Sequence, residues 1–256
     1  MWRVIACSVR GTSHLRSGLP CQDYSSFLHT YFESEKVTIV GIADGAGSSK
    51  ASDIGSMEAV EHILRRIATW PKRIGDIGEE QAKTWVEESR QQLDLIATTK
   101  QLELRDLSCT LLVAILGDAE SVFFQVGDGA WIAEYQGTCE VITWPRAGEY
   151  ANETTFITSP KWEENLQFRR WTDSAMSFAG FTDGVQSLAL HFASKSVHAP
   201  FFAPMFSVLH STDDETSLIA PLHGFLDSPE INERTDDDKT LTLACRERKR
   251  LTDAPD

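Results

Sequence analysis

The chain has 256 residues, 41% hydrophobic and 24% charged, enough for one large domain with a substantial core. Its 24 Lys and Arg against 38 Asp and Glu give a formal charge of -14, which repels a nucleic-acid backbone and offers no polybasic patch to an anionic membrane. Neither nucleic acid nor a membrane surface is expected as a partner, and no stretch approaches the ~20 apolar residues of a membrane span.

The chain opens with "MWRVIACSVRG", whose apolar stretch is too short for a secretory signal and is interrupted at Arg3. The five cysteines, Cys7, Cys21, Cys109, Cys139 and Cys245, are odd in number, scattered and without a C-x-x-C pair, so a reduced cytoplasm is the expected compartment. "CQDYSSF" then places Asp23 before an early strand, and "KVTIVGIADG" reads as a strand that halts at Asp44. Two amphipathic helices are predicted next. Ile54, Met57, Val60, Ile63, Leu64 and Ile67 keep the three-and-four spacing in the first, and Ala82, Trp85, Val86, Leu93, Ile96 and Ala97 keep it in the second.

"SCTLLVAILGD" and "SVFFQVGDGAWIAEYQGTCEVITW" return to strand character. The polar stretch at about 145–172, "PRAGEYANETTFITSPKWEENLQFRRWT", is longer than a tight strand connection and reads equally as a flap over a site or as a surface loop. "AMSFAGFTDG" is a further strand, "VQSLALHF" is helix-like, and "TDDDKTLTLACR" closes on a strand. No repeat, low-complexity tract or linker divides residues 1–256, so a single domain is expected. Strands, then paired helices, then more strands imply a layered α+β fold with helices on the outer faces of sheets.

Asp-Gly occurs three times, at Asp44, Asp128 and Asp183, each time ending an apolar run. The pair is a favoured hairpin turn, and "VFFQV" and "AWIAEY" flank Asp128 as hairpin strands would, so the turn and functional readings both stand there. Asp44 and Asp183 lead instead into small residues and helix, a placement that suits chemistry. Asp236 to Asp238 alone would be a solvated charge run, but at the mouth of a strand they parallel the other two.

Acids gathered at one place need a counter-charge. Two carboxylates ~4 Å apart repel by about 4 kcal/mol at an effective dielectric near 20. An all-oxygen donor set selects hard divalent ions such as Mg2+ or Mn2+ over Zn2+, and no His/Cys cluster has zinc spacing. The Walker loop, the dinucleotide fingerprint and the EF-hand all fail to match, since "GAGSSK" lacks both a Gly-Lys pair and a final glycine, and "TDDDKT" lacks alternating acids around a glycine.

In their order, "CQD", "IADGAG", "LSCTLLVAIL", "VGDGAWI", "GFTDGVQSL" and "DDDKTLTLA" resemble the metal-dependent protein phosphatases of type 2C, the PPM family. "GTSHLRSGLPCQD", "RAGEYANETTFIT" and "NERTDDDKTL" are similar, more narrowly, to the small bacterial branch typified by enterobacterial serine/threonine phosphatase C. The resemblance implies a four-layer α-β-β-α sandwich, with two mainly antiparallel central sheets and a binuclear metal cleft at one end. It implies a serine/threonine protein phosphatase that hydrolyses phosphoserine or phosphothreonine with a metal-activated bridging water, on two divalent cations, Mn2+ or Mg2+. Carried over by position, Asp44 bridges the two metals and the Gly45 carbonyl binds one of them. Asp183 and Asp237 hold the other, Asp23 ligates directly or through water, and Asp128 serves a third, weaker cation. Phosphorylated proteins are the implied substrates, with a serine/threonine kinase or its targets as partner.

Two positions depart from that pattern. Gly18 stands where many relatives carry a phosphate-binding arginine, which leaves Arg16 or Arg10 as substitutes. Ala46 stands where some carry a histidine, which leaves His14 as proton donor or as a structural hydrogen-bonding group. The rival from another class is a metal- or phosphoprotein-binding module without turnover, which retention of so many acids argues against. Aspartyl-nucleophile phosphatases need an Asp two residues before the Asp of Asp-Gly, where Ile42, Val126 and Phe181 stand.

Overall fold

The chain was described from a computed structural model, covering residues 2–146, 154–173 and 175–247. It enters with β1 (Trp2–Val9) and a short helix α1 (Thr12–Ser17), then β2 (Tyr24–Phe32) and β3 (Glu35–Ala43). The long helices α2 (Ser52–Ala68) and α3 (Glu79–Lys100) precede β4 (Leu111–Leu116), β5 (Ser121–Val126), β6 (Ala130–Tyr135) and β7 (Thr138–Thr143). Next come α4 (Trp162–Asn165), β8 (Gln167–Trp171), β9 (Ser177–Phe181), α5 (Asp183–Ala189), and the hairpin β10 (Leu190–His191) and β11 (Ser196–Val197). Helices α6 (Ala199–Ser211), α7 (Ile219–Leu226) and α8 (Pro229–Asn232) lead to β12 (Lys239–Arg246).

Each central strand is apolar on both sides, so each sheet must be covered twice. Along β3, Val37 and Ile39 pack outward against Val60, Ile63 and Leu64 of α2 and Trp85 and Val86 of α3. The alternate residues Val40 and Ile42 face inward, against Leu112, Phe123, Trp131 and Phe178. The second sheet does the same: Ile132, Phe181, Leu241 and Leu243 meet Phe202 and Phe206 of α6 and Leu222 of α7. The strand orders are β2-β3-β4-β5-β8 and β1-β12-β9-β6-β7, with antiparallel pairing throughout. The result is the expected four-layer α-β-β-α sandwich. Among the described residues no helix is long and apolar enough to cross a membrane.

Two expectations are corrected. Met57 was placed on the buried stripe of α2 but is 39% exposed, because that helix turns small residues inward. Gly55, Ser56 and Ala59 are buried, and a Cβ on Gly55 would lie 2.2 Å from the Leu107 carbonyl. The stretch at 145–172 is only partly loop. Residues 147–153 of it lie outside the described residues, while Gln167–Trp171 form β8, the edge strand beside β5. The charged "QFRRW" hid this strand, because half-exposed edge strands carry polar side chains on the open face.

Candidate metal centre

Strand ends deliver the acids to one end of the sandwich. Asp44 follows β3, Asp128 lies between β5 and β6, Asp183 begins α5 just after β9, and Asp237 and Asp238 precede β12. Phe181 pairs with both Ala130 and Leu241, while Ile42 pairs with Leu112 next to the Leu111–Val126 pair, so these ends share one edge of the two sheets.

The hairpin reading of Asp128 is overturned. β5 and β6 belong to different sheets, so the "VGDG" turn carries the chain across the sandwich. Gly127 has φ +121°, and a Cβ there would sit 2.5 Å from Thr110 Cγ2, so only glycine suits the position. Gln125 Nε2 donates to the Gly129 carbonyl at 2.8 Å and Thr143 Oγ1 donates to Gln125 Oε1 at 2.6 Å, securing the crossing in the core.

One oxygen from each of Asp44, Asp128 and Asp183 lies within 4.8 Å of the others. A cleft of about 140 Å³ around them is lined also by His14, Gly45, Ala46, Thr154 and Asp237. Among the described residues, Oδ1 of Asp128 and Oδ1 of Asp183 are buried without a hydrogen-bond donor, which is costly for a carboxylate unless a cation meets it. Burial, followed by neighbouring carboxylates, pushes the Asp44 carboxyl well up from its ordinary value and Asp183 up to about 6. The donor set therefore fits hard divalent cations, which remove both penalties. Thr154 Oγ1 donates to Asp128 Oδ2 at 2.5 Å, and Gln186 Nε2 donates to its carbonyl.

Asp23 is 6% exposed and does not line the cleft. Its Oδ2 accepts from Thr182 Oγ1 at 2.7 Å, and burial, with Asp238 and Asp183 nearby, raises its pKa. It neighbours Asp44, whose carboxyl it helps to raise.

The acidic run before β12 divides by strand alternation. Asp237 is exposed and faces the cleft, whereas Asp238 is 3% exposed and turns inward. There Asp238 accepts from the N–H groups of Gly11 (2.6 Å) and Gln22 (2.5 Å) and pairs with His14 Nδ1 at 2.9 Å. It thus ties the α1 segment and the "CQD" turn to β12. Sequence reasoning missed Asp238, Thr182 and Thr154; the signal for Asp238 was its register, two residues before the inward Thr240. The glycine after Asp183 is also required here, since a Cβ on Gly184 would lie 1.9 Å from the Asp238 carbonyl oxygen. Gly184→Ala is expected to lower the melting temperature by several degrees and to weaken Mn2+ binding, checked by a thermal melt with and without Mn2+. An unchanged melt would mean that the backbones are not in contact.

Arg10 and Arg16 are not brought into the cleft. Arg16 is 67% exposed and bonded to Asp236 at 2.8 Å, and Arg10 donates to the Leu19 carbonyl. No thiol competes as nucleophile: all five cysteines are unbridged, and burial pushes Cys7, Cys139 and Cys245 up to about 11.

Residues 10–227 match the family profile for protein phosphatase 2C. The chain is 38% identical over 250 residues to "Serine/threonine-protein phosphatase 3" of Escherichia coli (strain K12), covering 95% of this chain and 98% of that one. Its fold is similar to the serine/threonine phosphatase of S. agalactiae, with TM-score 0.69 at 13% identity, covering 96% of this chain and 100% of that one. It is similar, too, to the catalytic domain of the serine threonine protein phosphatase PstP in complex with 2 manganese ions, with TM-score 0.63 at 14% identity, covering 96% and 99% of the two chains.

Proposed function

This chain belongs to the protein phosphatase 2C family, and on that premise we propose how its own residues carry the activity. It is a metal-dependent serine/threonine phosphatase that acts on phosphorylated proteins. The observation that carries this reading is the convergence of Asp44, Asp128 and Asp183 oxygens within 4.8 Å. Asp44, Asp183, Asp237 and the Gly45 carbonyl would hold two divalent cations, Mn2+ or Mg2+. Asp128, which the family resemblance assigned to a third and weaker cation, would belong to the same donor set. When bound, the cations lower the pKa of water and offset the charge of the phosphoryl oxygens.

Asp23, its carboxyl oriented by Thr182, would support the same donor set directly or through water. His14 protonates the departing serine or threonine oxygen. Its Nδ1–H points to Asp238, so Nε2 is the nitrogen left for the cleft that the ring lines. Asp238 orients the imidazole, as a buried carboxylate does for a catalytic histidine. No group of the chain need become covalently attached to phosphate. A serine/threonine kinase making the same phosphoesters is the counterpart such an activity requires, and five unbridged cysteines support a reducing, cytoplasmic setting.

The test measures phosphate release from a phosphothreonine peptide and from an aryl phosphate, with Mn2+ or with chelator. Mn2+-stimulated release from both is expected, and none from either would sink the phosphatase reading. His14→Gln is expected to slow the peptide by about 10²-fold, the usual share of general acid catalysis, and to slow the aryl phosphate far less because its leaving group needs no proton. Equal losses on both substrates would remove His14 from the proton-transfer role.

A further inference from the structure

The loop after Asp44, "GAGSSK", builds a second groove beside the metal cleft. Ala46 and Phe156 line both, forming the wall they share. Beyond that wall Ser48, Ser49, Lys50 and Arg105 line a groove of about 390 Å³, against about 140 Å³ for the cleft. A phosphoryl group is small enough for the cleft, whereas the groove has room for side chains that flank it.

We propose that this groove, with Lys50 and Arg105, seats acidic residues flanking the phosphorylated side chain, and so makes the enzyme selective for acidic phosphoproteins. The proposal rests on the phosphatase reading above and names its substrate class. Charge is the first support. In a chain of net charge -14, Lys50 and Arg105 line the groove that shares a wall with the cleft, while among the described residues Arg10 and Arg16 line neither. The carboxylate of Asp106 also lines the groove; it is 9% exposed, and its Oδ2 accepts from the Glu103 N–H at 3.0 Å and from Lys50 at 3.5 Å.

Availability is the second. Lys50 is 73% exposed and meets Asp106 at no closer than 3.5 Å, and Arg105, 79% exposed, pairs among the described residues with the exposed Glu103 at 2.8 Å. The exposed Arg105–Glu103 pair is weak, and it and the long Lys50–Asp106 contact yield to an incoming carboxylate or phosphate.

Rigidity is the third. The Ala46 N–H donates to Ser108 O at 2.9 Å, Ser49 Oγ to Arg105 O at 2.8 Å, the Ala51 N–H to Asp106 O at 2.9 Å and the Thr110 N–H to Asp44 O at 2.8 Å. The loop that carries Asp44 and the wall that carries Arg105 are therefore one piece, and a residue bound in the groove is held in fixed register to the metal-binding acids. An extended peptide advances about 3.3 Å per residue, so acids two to four positions from the phosphoresidue lie roughly 7–13 Å from it.

The experiment uses the full chain loaded with Mn2+ and three phosphothreonine peptides, identical except for Glu, Gln or Lys at positions two to four from the phosphoresidue. kcat/KM is expected to favour the Glu over the Gln peptide by about tenfold, a preference that shrinks with added salt. In K50E/R105E the order is expected to invert toward the Lys peptide. Both side chains are exposed and the loop bonds run to the Arg105 backbone, so the fold withstands the change. Equal rates on the three peptides in the unaltered chain, or a Glu preference that persists in K50E/R105E, would overturn the proposal. Failure of the unaltered chain to turn over any peptide or an aryl phosphate would instead strike the phosphatase reading itself.

Discussion

Asp44→Asn combined with Asp183→Asn is expected to cut Mn2+-dependent phosphate release by at least about 10³-fold while leaving the metal-free protein more stable than before. Both effects follow from one cause. Each carboxylate is held among others within 4.8 Å, and Asp183 Oδ1 is buried without a donor among the described residues. That arrangement is unfavourable until a cation enters, and catalysis depends on the cation. Several kcal/mol of charge stabilisation removed from the reaction corresponds to three or more powers of ten in rate. The stabilising half is read from melts. At 100 times its dissociation constant, Mn2+ stabilises the unaltered protein by about 2.7 kcal/mol, or roughly 5–10 °C for a chain of this size. The double variant is expected to melt higher in chelator and to show no Mn2+ shift. Retained activity, or a full Mn2+ shift, would mean that the cations sit elsewhere.

The second large effect is a pH dependence of that Mn2+ shift. Asp183 is raised from 3.8 to about 6 in the folded, metal-free chain, and Asp44, Asp23 and Asp128 are raised too, all chiefly by burial. Between about pH 4 and 6 the folded chain then binds more protons than the unfolded chain. This contribution to metal-free stability is fully present below the unfolded pKa and is lost as pH rises through the folded one, on the order of 2–3 kcal/mol for Asp183 alone. Cations compete with those protons, so the melting shift caused by Mn2+ is expected to grow from pH 5 to pH 7. A shift that stays constant over that range would show that the donors carry their charge without the metal.

Much of the fold was legible because its signals are local. Strands such as "KVTIVGIA" and "TLLVAIL" are apolar on both faces, and the spacing of Val60, Ile63, Leu64 and Ile67 marks a buried helix stripe whatever the partner. β8 was not legible, because its arginines suit an edge exposed on one side. Met57 misled because the contact face of α2 is chosen by how closely Gly55 approaches Leu107, and hydropathy does not record backbone proximity.

The donor chemistry of the site, oxygen ligands at strand ends calling for hard cations, was determined by the sequence alone, since residue type sets ligand type. Which acids meet was decided only by the tertiary structure. "VGDG" reads as a hairpin in any local window, yet β5 and β6 join different sheets, and this brings Asp128 against Asp44 and Asp183. Register turns Asp237 to the cleft and Asp238 inward to His14, and it leaves Arg10 and Arg16 outside while "SSK" flanks the cleft. Periodicity is a property of neighbours along the chain, whereas sheet partner and register depend on cores closed between residues far apart in it.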